Sequence, residues 1–246
     1  MEMPTMKCSF TFLCVFAFCA AASAQTNAGT IKGLVRLTGA PPGNPIIRMG
    51  LDPMCSQMNA DKRVIQEVVS TDAHGNLANV FVRLRGAFPE TPVPSQPVTI
   101  DQRTCMYAPR VIGVRVGQTL QVRNGDPIPH SVHSVSKLGN SFDVTMPSGG
   151  APFSFKPKQE EVMLRISCDL HKWMTAYVGV VTNPYFAVSG QGGTFEIDKV
   201  PPGTYTMEAW QEEYGLVTKT VRVAAGGTAT VDFAYVGNGK PSGRGR

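Results

Sequence analysis

Residues 161–174 read EVMLRISCDLHKWM, and the fold turns on how this stretch is placed. Val162, Leu164, Ile166 and Cys168 fall on one side of a period-two alternation, and Met163, Arg165 and Ser167 on the other. Read as a strand, it carries Cys168 into the core at the strand's end. There the chain turns through Asp169 and Leu170 to His171. Two intervening residues let a thiolate and an imidazole converge on one atom across a tight loop. Two more bring Met174 within reach.

A fourth ligand must come from elsewhere. The chain has four histidines: His74, His130, His133 and His171. His74 sits in the turn-like AHGN and is expected to be exposed. The segment NGDPIPHSVHS (124–134) offers His130 and His133, which face opposite sides of a strand, so one of them points inward. The prolines before His130 fix the backbone there. Two imidazoles and a thiolate with a weak axial thioether favour copper in an electron-transfer role. Zinc prefers four stronger ligands. Each residue alone has a bland reading: a buried Cys or Met is ordinarily core, and His130 a hydrogen-bonded loop residue. Their joint occurrence favours the metal.

Outward from this stretch, the chain is rich in turn formers (Gly 25, Pro 19) and poor in charge (17%) over 246 residues, which points to an all-β protein. Strand-like runs occur at GTIKGLVRL, VVSTDAHGNLANVFVRL, QPVTIDQRTCMYAP and VIGVRVGQTLQVRN, the last with a hairpin or bend at Gly117. Residues 52–63 read as a loop or short helix. Lys7, the apolar run CSFTFLCVFAFCAA and ASA at 22–24 form a secretory signal, which predicts a periplasmic or secreted chain with no stable membrane insertion after cleavage. Three cysteines then remain: Cys55, Cys105 and Cys168. An oxidising compartment favours one disulfide and one odd thiol. The net charge is +5, and Lys240, Arg244 and Arg246 in the tail GNGKPSGRGR carry three of those charges. The body is too weakly basic to point to nucleic acid.

The segments MYAPRVIGVRVGQTLQVRNGDPIPHSVHS and SCDLHKWMTAYVGVV together resemble the cupredoxins, the small blue-copper proteins. The short C-x2-H-x2-M loop and the P-H-x-V-H segment are most similar to those of amicyanin. The resemblance implies a Greek-key β-sandwich and one type 1 copper held by His130, Cys168, His171 and axial Met174, with His133 a neighbour. Ser131, Asp169 and Asn124 would surround the ligands. Two positions depart from the family: Ser131 stands where Asn is common, and Asp169 where a neutral residue follows the ligand Cys. A Ser131–Asp169 hydrogen bond is the expected substitute for the Asn clasp, and a carboxylate beside the thiolate would favour Cu(II). Lys172 and Trp173 replace residues that include a proline in amicyanin.

Cys55 and Cys105 are expected to bridge and pin the 40–63 segment to the sandwich. The alternative makes one of them a second thiolate for the metal, although dinuclear copper centres usually place both cysteines in one loop. The segment GGTFEIDKVPPGTYTMEAWQEEYGLVTKTVRVAAGGTATVDFAYV resembles the carboxypeptidase regulatory-like module, a smaller transthyretin-like sandwich. GTIKGLVRL is a candidate for its missing strand. Glu208, Glu212 and Glu213 are expected on a solvated strand face. The organisation predicted is a signal at 1–24, an extension at 25–61, a cupredoxin-like domain at 62–183, the second module at 184–236 and a disordered tail at 237–246.

Three functions follow from these readings. A monomeric copper protein would pass single electrons to a transient redox partner, with His171 and Trp173 near the copper mouth. A copper delivery or storage protein would hold labile Cu(I). An envelope scaffold would keep the fold without metal. A copper oxidase or nitrite reductase needs more imidazoles than four, and no nucleophile elbow, phosphate loop or H-E-x-x-H is present, so the chain is expected not to be an enzyme.

Overall fold

A computed structural model describes Met1 and residues 27–50 and 52–239. The signal at 1–24 and most of the tail lie outside these residues, Met1 apart. No helix among the described residues is long and apolar enough to cross a membrane.

The architecture is all-β. Among the described residues, seventeen strands form four sheets, with one short helix, α1 (Pro53–Met58). One sandwich packs two sheets around the chemistry-bearing loops. Its first sheet joins β5 (Val111–Arg115), β7 (His130–Ser134), β8 (Phe142–Met146), β10 (Glu161–Ser167) and β11 (Thr175–Val181), in the order β5-β11-β10-β7-β8. Its second joins β3 (Val98–Arg103), β4 (Met106–Ala108), β6 (Leu120–Asn124) and β9 (Phe153–Phe155), in the order β4-β3-β6-β9. Ile100, Leu120, Val122, Val132, Leu164, Ile166 and Val178 interdigitate between them. The chain does not fold into a hairpin at Gly117 (φ 80°): β5 pairs with β11 and β6 with β3, so the bend carries the chain from one sheet to the other.

The alternation in the opening stretch holds from Leu164 onward. Leu164, Ile166 and Cys168 are buried, whereas Val162 is only half-buried because the register shifts between Glu161 and Leu164.

The second sandwich draws on both ends of the chain. β1 (Gly29–Ala40) pairs with β13 (Thr194–Val200), β16 (Thr228–Thr230) and β17 (Phe233–Asn238). The facing sheet runs in the order β12-β2-β14-β15, from β2 (Phe81–Arg85), β12 (Phe186–Val188), β14 (Gly203–Gln211) and β15 (Gly215–Val223). GTIKGLVRL thus supplies a strand to the C-terminal sheets. β2, inside the span 62–183, is hydrogen-bonded to β14 and β12 rather than to the first sandwich. Gly237 and Asn238, expected in the tail, extend β17 against Gly39 and Ala40.

The glutamates of β14 and its turn correct the expectation of a solvated face. Glu208 is 4% exposed and binds both Arg83 and Arg85. Glu212 takes a bidentate pair of hydrogen bonds from Arg110, both at 2.7 Å. This last pair ties the two sandwiches together.

Candidate metal centre

The site forms where β7 begins and where the loop after β10 turns back. Cys168 lies at the end of the alternating strand, 1% exposed. The loop closes on itself through Met174 N–H donating to His171 O (2.9 Å) and Cys168 N–H donating to Met174 O (3.4 Å). His130 opens β7 and is fully buried, while His133, three residues on, is half-exposed, as the strand's alternation requires.

His130, Cys168 and His171 place one ligand atom each within 4.8 Å of one another, all three residues buried. The two Nδ1 atoms are 2.9 Å apart, and Cys168 Sγ is 3.8 Å from His171 Nδ1. Met174 is fully buried in the same core cluster as Cys168.

The outer edges of both rings are held by carboxylates. His130 Nε2 meets Asp126 Oδ2 at 2.9 Å, and His171 Nε2 meets Asp52 Oδ2 at 2.9 Å. An ionised carboxylate only accepts, so each Nε2 donates. Each Nδ1 of a neutral ring is then a lone pair aimed at the other. Two such nitrogens at 2.9 Å, beside a thiolate, require a cation between them, either one shared proton or a metal ion. The donor set, borderline imidazoles and a soft thiolate, fits copper. Carboxylate–imidazole pairing of this kind fixes the tautomer and raises ligand basicity.

Burial pushes the Cys168 thiol upward. The His130 imidazole and the N–H and hydroxyl of Ser131 outweigh it and bring the thiol down to about 6. For His130, burial acts to lower the pKa, but Cys168 and Asp126 together raise it. Asp52 is held below the usual carboxylate range by the Cys55 N–H and by His171.

The expected Ser131–Asp169 hydrogen bond joins the two loops. Ser131 Oγ accepts from the backbone N–H of Asp169 (2.6 Å). The Asp169 carboxylate turns outward to His133 Nδ1 (3.0 Å), which lowers its pKa. The clasp between the two loops is therefore the Asp169 amide donating to the Ser131 hydroxyl, supplemented by Ser131 N–H donating to Cys168 Sγ (3.3 Å). Asn124 braces the His130 loop: its amide donates to Ile128 O and Met146 O, and its oxygen accepts from Asp126 N–H.

Cys55 and Cys105 form the expected disulfide (S–S 2.02 Å), and Cys168 is the free thiol among the described cysteines. The bridge ties α1 across the site. Asp52 is the N-cap of α1, accepting from Cys55 N–H (2.9 Å), and the same carboxylate reaches His171. Thr104 and Cys105 both hold positive φ (51° and 59°), and their N–H groups converge on Asp126 at 2.6 and 2.8 Å.

Asp52 and Asp126 were missed by the sequence reading. A local signal existed for the first, since D-P-M-C reads as a helix N-cap followed by proline. Nothing local connects it to His171, 119 residues away. Asp126 lies four residues before His130, within the very loop that was singled out. One expectation is corrected: His171 is not at an open mouth. It is 4% exposed and covered by α1, while Trp173 packs beside it with ring centroids 5.1 Å apart.

Comparison with known proteins gives a family model, a curated relative and several solved structures. A family model described as polysaccharide lyase family 4, domain II, matches residues 171–231, overlapping the segment that resembles the carboxypeptidase regulatory-like module. A Neurospora crassa protein described as a rhamnogalacturonase is 41% identical over 54 residues, and the chain spans 10% of that protein's length. Among solved structures, a purple cupredoxin from Nitrosopumilus maritimus is similar over 33% of this chain and 97% of its own, at 22% identity and a TM-score of 0.29. A reduced amicyanin variant covers 40% and 97%, at 19% identity and a TM-score of 0.31. A copper-containing nitrite reductase from Thermus scotoductus SA-01 covers 40% and 25%, at 17% identity and a TM-score of 0.33.

Proposed function

We propose that this chain is an exported copper protein that passes single electrons between redox partners. His130, Cys168 and His171 would hold one copper ion, with Met174 as a further, weaker ligand. The observation that carries this reading is the pair of Nδ1 atoms 2.9 Å apart beside the Cys168 thiol, each imidazole with a carboxylate on its far nitrogen. Bound there, copper supplies a one-electron Cu(I)/Cu(II) couple with a thiolate charge-transfer band.

The protein's own contribution is rigidity and exclusion of water. Ser131 donates to the thiolate and clasps the Cys168 loop. Asp126 and Asp52 hold both imidazoles in one orientation. Burial of all three donors keeps solvent away from the site. Ligands that do not move when the charge changes keep reorganisation small, which suits a carrier. The locked imidazoles also oppose ready release of metal, which weighs against a delivery role.

The second sandwich is read as a non-catalytic module of exported proteins. That reading rests on its resemblance to the carboxypeptidase regulatory-like module. It tethers or orients the copper-binding half, and partner contacts are transient.

The test is the visible and EPR spectrum of copper-loaded chain beside Cys168→Ala. One copper per chain, with an intense charge-transfer band lost in the variant, is expected. A colourless Cu(I) form that yields its metal to a chelator would assign the chain to copper delivery instead. No stoichiometric copper in either oxidation state would leave a scaffold.

A further inference from the structure

With the outer edge of His171 sealed by Asp52 and α1, an electron needs another way out. The ring that reaches the surface is Trp173. It is half-buried, it packs 5.1 Å from His171 between centroids, and its Nε1 donates to Cys105 O (2.9 Å). Trp173 also lines a surface cleft of about 990 Å³ together with Ile46, Arg48, Arg165 and Lys172. All three cations are exposed, and none is within ion-pair distance of a carboxylate among the described residues. Lys172 feels Asp169 only through space. Glu212, the acid that lines the cleft, is already neutralised by Arg110. Ile46 is 49% exposed at the rim. An aromatic and apolar floor ringed by unpaired cations is the anatomy of a protein interface.

We propose that an acidic redox protein docks over this cleft and that Trp173, not the edge of His171, is the electron's exit. The proposal rests on the electron-carrier reading. A single electron passes from the reduced site through the indole to a one-electron acceptor on the partner, which is reduced as the site is oxidised. No bond breaks and no proton moves. Arg48, Arg165 and Lys172 steer the encounter, an effect that salt screens.

Two measurements test this. In the first, the metal-free, isotope-labelled chain is titrated with poly-L-glutamate and, separately, with poly-L-lysine, and followed by NMR. Shifts of the Trp173 indole N–H and of the Lys172 and Arg165 amides with polyglutamate alone are expected. They should collapse at high salt and vanish in Arg48→Glu/Arg165→Glu/Lys172→Glu. In the second, reduced copper-loaded chain is oxidised by anionic hexacyanoferrate(III) and by a cationic cobalt(III) phenanthroline complex. The triple variant is expected to slow the anion about tenfold or more and to speed the cation, with its charge-transfer band unchanged. Trp173→Leu slows both oxidants, and Trp173→Phe, which keeps a ring, recovers most of the rate.

Polyglutamate shifts mapping to another face, or oxidation rates indifferent to the charge reversal, would overturn the docking site. Full rates in Trp173→Leu would overturn the exit. Failure of the wild-type chain to take up copper sinks the carrier reading, whereas the titration of metal-free chain decides the docking face by itself.

Discussion

At Cys168, burial opposes ionisation and hydrogen bonds from Ser131 and His130 favour it, and the second influence wins. In the metal-free chain, the ultraviolet thiolate band should titrate near pH 6 rather than near the thiol's ordinary 9.0. The sign for stability follows from the lowered value: the thiolate's contribution is fully present above pH 9, and it is lost as pH falls through about 6. Ser131→Ala removes the clasp hydroxyl, and the midpoint should move up. At the other edge of the site, Asp52→Asn keeps a residue able to cap α1 but discards the charge facing His171. A loss of about 1–3 kcal/mol at neutral pH is expected from urea midpoints. Because the Asp52 pKa is lowered from 3.8, its contribution holds above that value and fades below it, so the gap between wild type and variant should narrow at pH 3. Among these residues, Cys168 and His171 were legible from spacing alone. Asp52 was not, because a carboxylate's partner 119 residues away leaves no mark on local periodicity.

At the level of elements, the join between the sandwiches depends on two glycines. Gly179 of β11 and Gly113 of β5 are direct partners across the sheet. A Cβ at Gly179 would lie 2.2 Å from the Phe81 ring, and one at Gly113 2.2 Å from the Phe186 ring. The missing side chains make a slot into which aromatics from β2 and β12 insert. Phe81 is 1% exposed and has nowhere to swing. Gly179→Ala should therefore cost about 1–3 kcal/mol as overpacking, read as a fall in thermal midpoint, with the spectrum of the proposed copper site intact. Strand alternation in 164–168 and the bend at Gly117 were readable because they are set by the two-residue period and by a left-handed backbone position. The shift between Glu161 and Leu164 was not, since an extra residue in a ladder changes no composition. Nor did an isolated glycine in YVGVV announce that a ring from another sheet fills its place.

Across the whole molecule, the chain's first strand is sandwiched among its last. β1 lies between β13 and the strands β16 and β17, so the second core closes only when residues near 30 meet residues near 230. A chain stopped after Gly190 would leave β1 without its strand partners and β2 with β12 alone, and would strip most of that core. It is expected to aggregate in size-exclusion chromatography and to lose native circular dichroism. A monomeric, copper-binding fragment would instead show that the first sandwich folds alone. The sequence by itself determined the all-β class, the buried face of β10, and the C-x2-H-x2-M and P-H-x-V-H spacings, because each is a short-range pattern imposed by backbone geometry. Only the tertiary structure decided which carboxylates lock the imidazoles, that α1 covers His171 while Trp173 reaches the surface, and that β1 and β2 belong to the second sandwich. Those outcomes depend on which distant surfaces exclude water together, and that choice is made by the packing of whole sheets rather than by the order of neighbouring residues.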